Sequence, residues 1–277
     1  MTTLTRTTPG EETVGVVADR STDAPFLGVS ALLFAGSTTL TIVWCVSMSA
    51  MGMPMPGGWT MSMAWMRMPG ETWVSTAASF LGMWVVMMVA MMLPSLVPML
   101  LRYRQAVGRT GATRLDLLTA IVGAGYFSVW TAIGIAVFPL GVAFSEVEMQ
   151  RPALARAVPM AVAVAVLIAG TFQFSGWKAH YLARCRAAFE RGRTLPADAS
   201  TAVRQGLRIG IDCVYSCANL MTILLVIGVM DVRAMALVTA AITVERLAPS
   251  GERVARAIGA GVVGTGLFLI ARAAALG

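Results

Sequence analysis

The sequence predicts an all-α, polytopic transmembrane helical bundle of about seven membrane segments, with its N-terminus in the cytoplasm. Three observations lead there. Hydrophobic residues make up 57% of the chain and charged residues 13%, against about 25% charge in soluble domains. Mean hydropathy is +0.74. Apolar runs recur near the length of about 20 residues that a bilayer demands, and the period-2 alternation of a barrel strand is absent.

Residues 1–25, rich in Thr, Gly and acidic side chains, lack a basic leader and read as a disordered cytoplasmic tail. Residues 26–277 read as a single transmembrane domain. Its segments fall at Phe26–Val46, Trp73–Leu101, Leu117–Ala143, Val158–Leu182, Ile209–Met230, Ala234–Leu247 and Ala255–Leu276. The sixth is short, follows Asp231 and Arg233 after almost no loop, and contains Glu245. It suits either a span or a re-entrant hairpin with the fifth. The last carries Ala257, Gly261 and Thr265, with Ala260 and Gly264, a spacing that permits close helix packing.

Arginine sets the orientation. The N-terminal tail and the loops after segments two, four and six hold fifteen arginines, and the opposite side holds five. The richer side is cytoplasmic, which puts the C-terminus and the loop at 48–70 outside. The net charge of +7 then faces anionic lipid headgroups, not nucleic acid. The bilayer is the first partner, and the inner (cytoplasmic) membrane of a bacterium is the expected location.

Methionine is concentrated. Fourteen of the chain's twenty methionines lie between Met48 and Met99. The external loop holds Met51, Met53, Met55, Met61, Met63, Met66 and Met68, where no apolar core is needed. Segment two carries Met83, Met87 and Met91 at four-residue spacing, with Met88 and Met92 on the adjoining stripe. Residues four apart share a helix face, so these thioethers form a ladder. Soft sulfur favours Cu(I) over hard cations; the same side chains also suit an adaptable packing face. Pro94 and Pro98 interrupt the ladder and free carbonyls that Ser95 or a neighbouring helix must satisfy.

Segment five reads GIDCVYSCANLM. Cys213 and Cys217, at i and i+4, can both reach one metal, and Asp212, Ser216 and Asn219 form a polar stripe beside them. An intramembrane carboxylate faces the bundle interior with a partner and marks a candidate functional site; Asp212 also suits an inner-interface position. Segment four ends with the only lysine, Lys178, the only histidine, His180, and Cys185. Counted from Ile209, Cys217 lies about 12 Å into segment five, so His180, Cys185, Cys213 and Cys217 come within reach of one another. Lys178 is expected to snorkel, and Glu245 to pair with Arg246 or Arg253. Four cysteines give no secreted-type disulfide framework. Walker A, GxSxG and HExxH signatures are absent, and one histidine with few intramembrane carboxylates argues against an enzyme.

Five blocks in this order carry a resemblance: MWVVMMVAMMLPSLVPM, Tyr126–Trp130, Gln173 to Lys178 to Cys185–Arg186, Cys213–Met221, and GVMDVRAM followed by Glu245. From about Phe80 to Ser250 the chain resembles the predicted metal-binding integral membrane proteins often labelled copper chaperones. The resemblance implies a polytopic protein with a metal site rich in thiol and thioether. This chain departs from that pattern at Tyr181 and Ser216, where the family carries further cysteines, at Tyr215, where it carries Gly, and at Asp231, where it carries Asn.

The expected function is membrane-embedded copper handling. The outer loop collects Cu(I), Met87, Met88, Met91 and Met92 offer weak sites, and Cys185, Cys213, Cys217 and His180 hold the ion for delivery to a partner. Binding loose enough to release suits transfer. The rival expectation is a structural or accessory subunit of a copper-dependent membrane monooxygenase or oxidase complex, which the thinned cysteine set favours.

Overall fold

The computed structural model describes residues 9–49, 52–67, 70–108, 114–188 and 195–276. Among these, eight α-helices follow in order: α1 Pro9–Ser49, α2 Trp73–Gly108, α3 Leu115–Gln150, α4 Pro152–Phe172, α5 Gly176–Ala187, α6 Ala199–Ile227, α7 Val232–Leu247 and α8 Gly251–Leu276. All but α5 and α7 are long and apolar enough to cross a membrane, which makes six such helices.

Three features differ from the sequence expectation, while the shortness of α7 agrees with it. Helix α1 begins at Pro9, so helical backbone takes in much of the stretch read as a disordered tail; its membrane-length part begins at Asp23. The fourth apolar run is broken after Phe172, and α5 starts anew with Ser175 as its N-cap, whose Oγ accepts from Lys178 N. Helix α7 has 16 residues, about 24 Å of rise. Asp231 caps it by accepting from the N–H groups of Arg233 and Ala234. The external loop contains a hairpin, with β1 (Met53–Met55) antiparallel to β2 (Trp59–Met61) and Met53 opposite Met61. Pro56, Gly57 and Gly58 form its three-residue turn, with φ of 103° and 75° at the two glycines, a left-handed region that glycine enters without steric cost. Trp59 Nε1 anchors it on the start of α4 by donating to Ala155 O at 2.9 Å.

Helices α2 and α6 are innermost. Each is 61% buried over its most apolar stretch, against 11% to 28% for the other four long helices, which turn bare apolar faces outward. Helix α3 packs along α6, α4 along α8, and α1 along α2, while α5 lies on α6 and α7 is wedged among α2, α6 and α8. Glycine makes two of these contacts close. A Cβ on Gly206 of α6 would strike the Val122 carbonyl of α3. On α8 the close approaches are at Gly266, against Leu167 of α4, and at Gly259, against Gln173 and Phe174 just beyond the end of α4, not at the expected Gly261 and Gly264, which have open space.

Among the described residues, two of the arginines assigned to the cytoplasmic side are interior. Arg104 bonds Asp23 at 2.9 Å and Asp116 at 2.6 Å, and Arg246 lies in the bundle core.

A buried dithiol with an arginine beside it

The short helices carry polar groups into the centre. On α5, Lys178, Leu182 and Cys185 fall on one face, and all three are buried. His180 is two residues from Lys178, about 200° round the helix. It is exposed, with its ring edge-on to Tyr181. The expected meeting of His180 with the three cysteines is therefore not formed. Among the described residues no group of three or more His, Cys, Asp or Glu side chains is gathered to hold a metal.

Cys213 and Cys217 do come together. They project from consecutive turns of α6 with Sγ atoms 3.9 Å apart, and they are 0% and 1% exposed. The Tyr126 hydroxyl of α3 lies 2.8 Å from Cys213 Sγ. Cys217 Sγ faces the Cys213 carbonyl at 2.9 Å, so its proton is used there and Tyr126 is placed to donate to Cys213. A metal–thiolate bond measures about 2.3 Å, so two sulfurs flanking one ion stand at most about 4.6 Å apart. The observed separation lies within that limit.

Ser216 is the hub beside this pair. Its Oγ donates to Cys213 O at 2.9 Å and accepts from Arg246 Nη2 at 3.0 Å. Its proton being committed, Cys185, at 3.5 Å, is the donor in their contact. Burial pushes the Cys185 thiol above its usual range, with Arg246 partly opposing. Cys185 is thus next to the dithiol without joining it.

Arg246 also donates from Nη1 to Ser95 Oγ at 3.1 Å and points Nη2 at the Cys213 carbonyl, 3.4 Å away. Among the described residues no carboxylate pairs with it. A buried cation without a counter-ion is costly, so this site favours an anion. Ser95 in turn donates to Met92 O at 3.0 Å. That joins the methionine face of α2 to the same node. Met87, Met88, Met91 and Met92 are all buried, in the same apolar core as Cys213 and Cys217.

The remaining expected residues have structural partners. Lys178 does not snorkel: it is 1% exposed and pairs with Glu245, while also donating to Ser216 O. Glu245 accepts from Gln173 Nε2 at 2.8 Å, so its partners come from α5 and the α4–α5 junction, not from Arg246 or Arg253. Asp212 pairs with Arg184 at 3.1 Å, and Asn219 Nδ2 donates to Ala169 O at 3.2 Å. Helix α6 starts ten residues before Ile209, which puts Cys217 about 27 Å from its first residue. In the outer loop, Met61 is buried, Met53 exposed, and Met55 and Met66 half-buried; Met51, Met68 and the Met63 side chain lie outside the described residues. Sequence reasoning missed Arg246 as a site residue because its charge was assigned to the surface. It missed Tyr126 too, although a phenol set deep in an apolar run was the available signal.

A family model described as PpoB2, copper chaperone, matches residues 81–269. No curated protein and no solved structure matches the chain.

Proposed function

The chain belongs to the PpoB2 copper chaperone family, and from that premise we propose that it carries Cu(I) on Cys213 and Cys217 and delivers it to a partner within the membrane. The observation that carries this reading is the 3.9 Å dithiol, buried beside an arginine that lacks a carboxylate. Two thiolates around Cu(I) make a monoanion, and Arg246 supplies its counter-charge. Methionine surroundings favour the soft ion over Zn(II). The methionines of the hairpin collect copper on the outer side, and those of α2 line the approach. Arginine bias supports a cytoplasmic N-terminus, with α7 returning through the bundle as a seventh, short pass.

The test is competition for Cu(I) against a chromophoric chelator, using purified protein in detergent. One tightly held equivalent is expected, lost in the Cys213→Ser/Cys217→Ser double variant. Retention of that equivalent by the variant defeats the assignment. A second reading, an accessory subunit of a copper-dependent membrane oxidase or monooxygenase complex, draws on the exposed position of His180 and the broad apolar faces of α1, α3 and α8.

A further inference from the structure

Where α2 and α7 end and α8 begins, the bundle opens into a cavity of about 430 Å³ lined by Arg102, Arg186, Arg246, Leu182, Leu247 and Glu252. Arg246 belongs both to this wall and to the dithiol node, since its guanidinium bonds Ser216 and faces the Cys213 carbonyl. Arg102 donates to Arg186 O at 3.1 Å and Arg186 to Pro249 O at 2.7 Å. Those carbonyls occupy one N–H each of the five a guanidinium has. Glu252, the one acid in the wall, is shared with Arg256 at 4.0 Å. The cavity is therefore net positive, and its volume falls in the range of about 300–1,000 Å³ typical of small-ligand sites.

Resting on the copper reading above, we propose that this arginine-lined cavity is the docking site for a small, carboxylate-bearing thiol that brings Cu(I) as its anionic bis-thiolate complex. Arg102 and Arg186 hold the carboxylates, with the copper end toward Arg246 and the dithiol. The step is ligand exchange. The Cys213 and Cys217 thiols lose their protons to the two departing carrier thiolates, two copper–sulfur bonds form as two break, and copper remains Cu(I) throughout. The negative charge moves from the carrier complex to the protein complex, staying within reach of Arg246.

The experiment compares two copper sources on the purified full chain. One is the anionic bis-glutathione Cu(I) complex and the other the cationic acetonitrile Cu(I) complex. The Arg102→Gln/Arg186→Gln variant should load from the glutathione complex about tenfold more slowly, as expected for loss of steering charge. Its loading from the acetonitrile complex should be no slower, since removing positive charge cannot hinder the approach of a cation. Glu252→Gln, which alters an exposed side chain and removes the opposing charge, should speed the glutathione reaction. Equal glutathione rates in wild type and both variants overturn the docking site. If wild type fails to load from the acetonitrile complex, the dithiol reading has fallen and this inference with it. If the double arginine variant loads from neither source, the Glu252→Gln rate decides: no acceleration overturns the proposal.

Discussion

Lys178 of α5 and Glu245 of α7 form an ion pair at 2.7 Å, with 2% of either side chain exposed. They join α5 and α7, the two helices outside the membrane-length set, to each other and, through Ser216, to α6. Removing one partner strands a buried charge, which costs about 3–5 kcal/mol, whereas replacing both by apolar groups is often close to neutral. Lys178→Met and Glu245→Leu should each lower the thermal midpoint in detergent sharply, and the double substitution should recover most of the loss. A double variant as unstable as the sum of the singles would show that the pair is not an isolated unit.

The α3–α6 crossing should tolerate no side chain at Gly206. Its Cβ would strike the Val122 carbonyl, and backbone cannot rotate away. Gly206→Ala is expected to cost about 1–3 kcal/mol, the range for overpacked sites. Gly261→Ala on α8, with nothing within 4 Å, should be neutral or slightly stabilising, because alanine is the better helix former. Thermal unfolding of the two variants side by side checks this, and equal effects would refute it.

Burial holds the Cys185 thiol above its ordinary value of 9.0. The folded protein therefore keeps the proton at a pH where the unfolded chain has begun to lose it. Cys185 contributes stability below that ordinary value, and the contribution falls as pH rises through it. In a protein with Cys45, Cys213 and Cys217 changed to Ser, alkylation by iodoacetamide at pH 8 should be far slower when folded than in denaturant. Matching rates would contradict the burial argument.

Delivery and scaffolding part company at the hairpin. Met53, Met55 and Met61 changed together to Leu keep apolar volume, at under about 1.5 kcal/mol for each such swap even in a core, and remove all three sulfurs. Folding should survive. At limiting copper, activity of the copper-dependent partner should fall and be rescued by added copper. Undiminished activity would favour the accessory-subunit reading.

The helical class was legible because apolar run length is a direct consequence of bilayer thickness. The Cys213–Cys217 pairing was legible because i and i+4 share a face on any helix. What hydropathy did not carry was interruption. It averaged across Gln173–Ser175 and so merged α4 with α5, although Ser175 before Gly176 has the chemistry of a cap. It also counted Arg246 and Lys178 as surface charge, since no pattern within one segment reveals a counter-group on another. His180 was misplaced for a related reason: proximity along the chain to Cys185 says nothing of which side of α5 it occupies.

Seventy-two residues separate Gln173 from the Glu245 that it binds, and Lys178 waits for the same carboxylate. At a synthesis rate of about 5–20 residues per second, the ribosome needs roughly 4–14 s to make that stretch. During this interval a nascent chain holds a lysine with no anion to meet it. Helix α5 can enter its final seat only after α7 has been made, so bundle closure comes late and from the C-terminal side. A chain truncated before Glu245 would be stalled with Lys178 unburied, in a form that membrane quality-control proteases can tell from the finished protein.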